Sequence, residues 1–326
     1  MPYHHLNLDE RTCIAGLIWQ GHSIRAIADM LDRHPSTISR EIQRNRSPKK
    51  RQYYPVAAHR RAQGRSQWTR KRPKRNDPDL RRLIEEKVVT GWSPEQIAGR
   101  LRLDYPQIPA KWVSHQTIYH MVNERPELHK GLRRAGRKYR KRSGPGADNR
   151  GRITNCKRIR QRPKIVGKRL RVGDWEGDSM ISRQSKWVVL AFLERKTGFI
   201  LAGKGVDHSS ETMLAAARSV LGHLPGRLLH TLTFDQGKEN ACHQKIEEEL
   251  GLSVYFTDPA SPWQKGCCEN ALGLLRQYIP KGGDIAKVSD EQLQGYLAAL
   301  NTRPRKRLNY QTPSEAFKAA CVALDS

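Results

Sequence analysis

Positive charge divides this chain. Residues 44–75 hold 13 Lys and Arg and no acid, and residues 130–172 hold 18 with Asp148 as the single acid. These two stretches contain 31 of the 60 basic residues of the 326-residue chain and one of its 32 acidic residues, so the rest is close to neutral. Both also carry helix breakers: Pro48, Pro55, Gly64 and Pro73 in the first, and Gly136, Gly144, Pro145 and Gly146 in the second. The expectation is a multidomain chain in which basic linkers, 46–78 and 129–171, separate folded segments at 1–45, 79–128 and 172–326. A neutral linker would tether equally well, so the charge asks for a polyanion whose phosphates it neutralises.

The formal net charge of +28 argues against an ordinary metabolic enzyme, and no small-molecule substrate is expected. No apolar run approaches the ~18 residues that cross a bilayer. The opening MPYHHLNLDERT lacks the basic start and apolar stretch of a secretion signal. The six Cys show no Cys-x-x-Cys spacing, which disfavours zinc and suits free thiols in a reducing compartment. The expectation is a cytoplasmic, nucleoid-associated protein with no membrane partner.

Residues 7–44 read as three short helices. Leu8, Ile14, Leu17 and Ile18 give the first an apolar face, and Gly21 breaks it. Ser23 can cap a second helix carrying Ile24, Ile27 and Leu31. Asp32-Arg33-His34 forms a turn, and Pro35 opens a third helix with Ile38 and Ile42 inward. Two helices joined by a tight turn form a helix-turn-helix, whose last helix enters the major groove of DNA. Its outward residues are Ser36, Thr37, Ser39, Arg40 and Arg44, able to reach base edges and phosphates. An echo follows: Ser93 opens a helix with Ile97, Ala98 and Leu101 inward, and Ser114 opens another with Ile118 and Val122 apolar. The connection at 102–113 is long for this motif, but a second DNA-binding unit is expected at 79–128.

Past residue 172 the pattern changes. VGDWEGDSMIS, KWVVLAFLE and GFILAGKGV read as consecutive antiparallel strands, LLHTLTF and LSVYF as two more, with helices at 209–222, 239–250, 264–278, 289–300 and 313–320. That order predicts a mixed five-stranded α/β sheet. Asp178 falls in the first strand, Asp235 at the end of the fourth, and Glu269 in the helix after the fifth. Three convergent carboxylates make an oxygen cage suited to Mg2+, and two such ions support chemistry at phosphorus. Asp174 and Glu176 would share a strand face with Asp178, so alternation alone does not separate the three.

The words around these acids carry a resemblance. WEGD (175–178), LERKTGFIL (193–201), TLTFDQGKE (231–239), VYFTDPASPWQKGCCENALGLLRQYIPKGGD (254–284) and LNTRPRKRLNYQTPSEAF (300–317) resemble the DDE transposases of the insertion sequence thirty family. The resemblance covers nearly the whole chain and is most specific over 231–317. It implies a ribonuclease H-like core related to retroviral integrases, with Asp178, Asp235 and Glu269 as catalytic metal ligands. It selects Asp178 over Asp174 and Glu176, and makes Glu239 a supporting residue rather than a rival to Asp235. It implies two Mg2+ ions, for which Mn2+ can substitute, and double-stranded DNA, both element ends and target, as partner. Joining two ends further implies a homodimer or larger assembly on DNA.

Arg276, two helical turns beyond Glu269, would contact the DNA backbone, as related enzymes place a cation at that offset. Lys265 and Lys281 are either DNA contacts or surface charge, Trp263 is either core or a base-stacking residue, and the RPRKR cluster at 303–307 is either a DNA contact or a solvated turn. Two departures stand out: Gln236 where the family has Asn, and Cys267-Cys268 for a small polar pair. The reading is a transposase that binds the terminal inverted repeats of its element, cuts the DNA and transfers the strand to a target. The alternatives are a DNA-binding repressor with an inactive core and a nuclease of RNA–DNA hybrids. The helix-turn-helix, a reader of B-form grooves, argues against the nuclease.

Overall fold

The computed structural model describes residues 5–47, 52–69, 77–132, 155–259 and 261–325. The centres of both expected linkers, 48–51, 70–76 and 133–154, lie outside the described residues. The chain divides into two compact units, 1–77 and 78–326.

In the first unit, α1 (Leu8–Trp19) starts at a reciprocal cap: Asn7 Oδ1 accepts from the Glu10 amide at 2.7 Å and Glu10 Oε2 from the Asn7 amide at 2.8 Å. Gly21, at φ +84°, makes the left-handed turn into α2 (Ile24–Met30), which Ser23 caps. Asp32, at φ +48°, begins the turn into α3 (Pro35–Asn45). Ile14, Ile27, Ala28 and Ile38 are fully buried at the centre, while Leu8 and Ile24 are exposed. Arg11 and Glu41 form a buried ion pair at 2.8 Å, and Tyr53 donates to the same carboxylate at 3.0 Å.

The expected linker at 46–78 is partly helical. Its residues 55–69 form α4 (Pro55–Thr69), which lies against α1 and α3. Pro55 at the first helical position starts a helix rather than breaking one. Buried Ala58 allows close approach, and Arg61 donates to the Asn45 carbonyl at 2.6 Å, so basic residues here close the end of α3.

The second unit opens with α5 (Pro78–Val89), α6 (Pro94–Asp104) and α7 (His115–Asn123) around Leu80, Ile84, Val88, Ile97, Leu101, Ile118 and Met121. Gly91, also at φ +84°, turns α5 into a Ser93-capped α6, repeating the turn at Gly21. A longer connection with a 3-10 turn at Pro109–Lys111 leads to α7.

The expected linker at 129–171 also ends early. Residues 157–171 carry a short helix, α8 (Lys164–Lys168), and Arg158 bridges to Phe256 of the sheet. Val166 in that segment is fully buried, so apolar contacts draw it onto the core despite its charge.

The sheet is mixed and five-stranded. Its strands are β1 (Asp174–Ile181), β2 (Val188–Glu194), β3 (Ile200–Gly205), β4 (Thr231–Phe234) and β5 (Ser253–Phe256), in the order β3-β2-β1-β4-β5. β1–β3 are antiparallel, whereas β4 and β5 run parallel to β1. α9 (Ser210–Leu221) and α10 (His243–Leu250) cover one face with Trp175, Phe192 and Phe234. α11 (Gly266–Leu275) and α12 (Asp290–Asn301) cover the other with Met180, Ala191 and Leu193. Strand alternation therefore points Trp175 and Gly177 to one side and Glu176, Asp178 and Met180 toward α11. Gly177 has no alternative, because a Cβ there would lie 2.2 Å from the Phe234 ring.

α13 (Pro313–Asp325) closes the chain. Before it, Asn309 and Tyr310 are both left-handed, at φ +52° and +66°, and Tyr310 covers Gly99 of α6 so closely that a Cβ there would lie 2.3 Å from its ring. Arg100 pairs with both oxygens of Glu315 at 2.6 and 2.7 Å, and Lys306 with Glu95 at 2.7 Å. Arg303 is buried and donates to Gln277 at 2.8 Å. The RPRKR cluster is thus partly spent on holding α6 to the body that carries the sheet.

Candidate active site

Asp178, in the second half of β1, lies beside Asp235, the residue just past the end of β4. Parallel pairing of β1 with β4 places them there although 57 positions separate them. The link is Lys265. Its ammonium lies 3.2 Å from Asp178 Oδ1 and 3.7 Å from Asp235 Oδ1, and it donates to the Gly177 carbonyl at 3.0 Å. Lys265 is only 6% exposed, which ends both surface readings of this residue, DNA contact and solvated charge.

Burial pushes the Asp178 carboxyl upward, with Lys265 opposing and Asp235 adding to the rise. Burial alone would push the Lys265 ammonium down, but the charges of Asp178 and Asp235 outweigh it and hold it above its ordinary value. Both directions describe one thing: a desolvated Asp178 and a buried ammonium that hold each other charged, with Asp235 beside them.

Glu269 stands in the first turn of α11, half-buried. It does not complete a cluster. Among the described residues no three His, Cys, Asp or Glu gather closely enough to hold a metal ion, so the expected three-way convergence is not present. With an ammonium already shared by the two aspartates, a third carboxylate would bring more repulsion than attraction.

The rival acids have other partners. Asp174 is buried, held by Arg171 through both oxygens at 3.0 Å and by the Thr231 hydroxyl at 2.8 Å. Glu176 is buried against Arg195 and accepts from the Cys268 amide at 3.0 Å. It therefore anchors the first turn of α11, one residue from Glu269. Glu239 lies on the 3-10 turn after β4, 3.5 Å from His208, which in turn meets the Ser179 hydroxyl at 2.8 Å.

Sequence reasoning missed three residues. Lys265 was read as surface, Glu176 as a competing ligand, and Asn240 was not considered. Asn240 is buried and donates to Asp235 at its carbonyl, 3.1 Å, and at Oδ1, 3.3 Å. Its place five residues past Asp235, beside Glu239, was the available signal. Gln236 turns away from the acid and donates to the Thr257 carbonyl at 2.9 Å, bridging the ends of β4 and β5. Trp263 is not core: it is 75% exposed on the 3-10 turn leading to α11.

Arg276 ends α11. Its Nη2 donates to the Ile181 carbonyl at 3.2 Å, and its Nη1 is buried without a hydrogen-bond partner among the described residues. On α3, Ser39, Arg40 and Arg44 are exposed, while Ser36 and Thr37 are half-buried and Ser36 is engaged by the capping His34 at 2.8 Å.

A helix-turn-helix domain family matches residues 2–45. The transposase for insertion sequence element IS4351 of Bacteroides fragilis is 38% identical over 96% of this chain and 95% of its own length. Transposase InsI for insertion sequence element IS30A of Escherichia coli is 37% identical over 98% of this chain and 85% of its own. The chain belongs to the insertion sequence thirty family of transposases. Among solved structures, the catalytic core domain of BIV integrase aligns with 47% of this transposase and 99% of its own chain, at 16% identity and a TM-score of 0.38, too loose a likeness to carry an assignment. No helix among the described residues is long and apolar enough to cross a membrane.

Proposed function

We propose that this transposase binds the terminal inverted repeats of its element, cleaves the DNA there and transfers the freed strand to a target, with Asp178, Asp235 and Glu269 as ligands for divalent metal. One observation carries the proposal: aspartates on neighbouring parallel strands, Asp178 desolvated within β1 and Asp235 just past β4, share a single cation. The donors around the ammonium are all hard oxygens, two of them anionic, which is the set that Mg2+ takes and that Mn2+ tolerates. Asp178, Asp235 and the Gly177 carbonyl therefore suit the ion, while Glu269 is not gathered with them in this structure. Two such ions, when bound, supply an activated attacking oxygen and charge stabilisation at the leaving one.

The chain's own residues do the rest. Asn240 orients Asp235, and the Glu176–Arg195 pair fixes the first turn of α11, which carries Glu269. Arg276, at the end of α11 two turns beyond Glu269, takes a backbone phosphate. Ser36, Thr37, Ser39, Arg40 and Arg44 on α3 serve the major groove of the element end, Ser39, Arg40 and Arg44 from its exposed face. The segment at 79–128 acts as a second DNA-binding unit, and two copies or more assemble on the DNA to join two ends. A repressor built on a silent core would have no need of the cation-bridged pair Asp178 and Asp235.

The test is cleavage of a labelled plasmid carrying the native ends, with and without Mg2+, comparing wild type with Glu269→Gln and Asp178→Asn. The expected result is metal-dependent cleavage that both variants lose while end binding persists. Wild-type binding without cleavage in either Mg2+ or Mn2+ would favour the repressor. The mass of the end-bound complex tests the assembly, and a single chain per complex would refute it.

A further inference from the structure

Lys265 is an unusual occupant of a catalytic centre. A lysine is seldom fully buried, and when it is, its three ammonium protons need acceptors. Here the Gly177 carbonyl and Asp178 Oδ1 accept, at 3.0 and 3.2 Å, and Asp235 Oδ1 adds its charge from 3.7 Å. The ammonium is a compact point charge, closer to a metal ion in shape than a guanidinium would be. It sits where a cation bound by the two aspartates would sit.

The position of Lys265 along the chain matters as much as its charge. Its backbone is the N-terminal boundary residue of α11, and Glu269 follows one turn later. The short turn carrying it, Pro262–Lys265, connects the Asp178–Asp235 pair directly to the start of that helix.

We propose that Lys265 is a built-in counter-cation of the catalytic pair. It holds Asp178 and Asp235 at ion-binding separation before metal arrives, and the entering divalent cation displaces its ammonium. This rests on the reading of those aspartates as metal ligands. Two carboxylates turned toward one another without a cation would repel and spread. The ammonium prevents this. It also competes, because a dication and an ammonium sharing the same oxygens repel each other. Metal affinity is therefore lower than the acids alone would give, and loading the site is coupled to movement at the start of α11.

The test reads binding and accessibility rather than turnover. Mg2+ titration calorimetry on the full chain compares wild type, Asp178→Asn and Lys265→Met. The variant lacking the ammonium is expected to bind Mg2+ roughly tenfold more tightly, the order of one partly screened like-charge repulsion. In wild type, acetylation of Lys265 by acetic anhydride, followed by mass spectrometry, is expected to be slow in EDTA and to rise several-fold at saturating Mg2+, with exposed Lys281 as internal reference. This second measurement needs no variant and stands if Lys265→Met fails to fold. Wild-type binding that Asp178→Asn abolishes, with Lys265 equally protected in EDTA and Mg2+ or Lys265→Met binding no more tightly, overturns the counter-cation alone. No Mg2+ binding by wild type overturns the metal site together with it.

Discussion

Replacing Arg195 by methionine tests how the first turn of α11 is held. Arg195 is 6% exposed and Glu176 1%. The arginine reaches Glu176 and also donates to the Val166 carbonyl at 3.3 Å. Methionine fills much of the volume but removes the charge, leaving Glu176 buried with the Cys268 amide as its remaining hydrogen bond. Removing one partner of a buried pair costs about 3–5 kcal/mol, chiefly because the other charge is stranded. A second change, Glu176→Gln, removes the stranded charge and keeps an acceptor for the Cys268 amide. The double variant is expected to recover to within about 1–2 kcal/mol of wild type, since buried pairs replaced together are often near neutral. Urea unfolding followed by circular dichroism measures all four proteins of the cycle. If Arg195→Met is as stable as the double variant, Glu176 is not the stranded group and the account of how α11 is anchored is wrong.

Three further outcomes are expected. Arg100 beside Glu315 pulls that carboxyl down to about 2 from its ordinary 4.5, so the stabilisation it gives is present above pH 4.5 and is lost as the pH falls toward 2. The stability difference between wild type and Glu315→Gln should shrink over that window, and a constant difference would show that the ion pair is not its source. Gly99→Val forces a side chain into the Tyr310 ring and should cost about 1–3 kcal/mol. Adding Tyr310→Ala should return part of that loss in thermal unfolding. Arg276→Ala should reduce the slope of log affinity against log salt for end DNA by about 0.9, the share of one phosphate, and an unchanged slope would remove Arg276 from the DNA contacts.

The layered architecture was legible because strand and helix periods are local. Alternation in WEGDSM and the five apolar strands set the sheet, and Ser23, Ser93 and Pro35 marked helix starts that the structure shows at those residues. Charge was the misleading signal. Basic residues at 55–69 and 157–171 looked like tether, yet Arg61 closes a helix end and Val166 is buried. A guanidinium that caps a helix and one that waits for phosphate are the same letter. The site was legible only as positions. Which of Asp174, Glu176 and Asp178 is available depends on Arg171 and Arg195, whose arrival at the first two acids is set by packing rather than by strand alternation. Lys265 was equally hidden, since nothing in a linear reading tells an inward lysine from an outward one.

The seating of α6 on the turn before α13 makes a measuring device of the second unit. Glu95, Gly99 and Arg100 are locked to Lys306, Tyr310 and Glu315, on the same body that carries Asp178 and Asp235. On the proposed reading of 79–128 as a second DNA-binding unit, that unit cannot slide along DNA independently of the body that holds α6. The distance between the DNA it would touch and the bond presented to the acids is then a constant of the protein. An element end lengthened by five base pairs between those points would turn its far portion by half a helical turn and present the wrong face of the duplex to be cut.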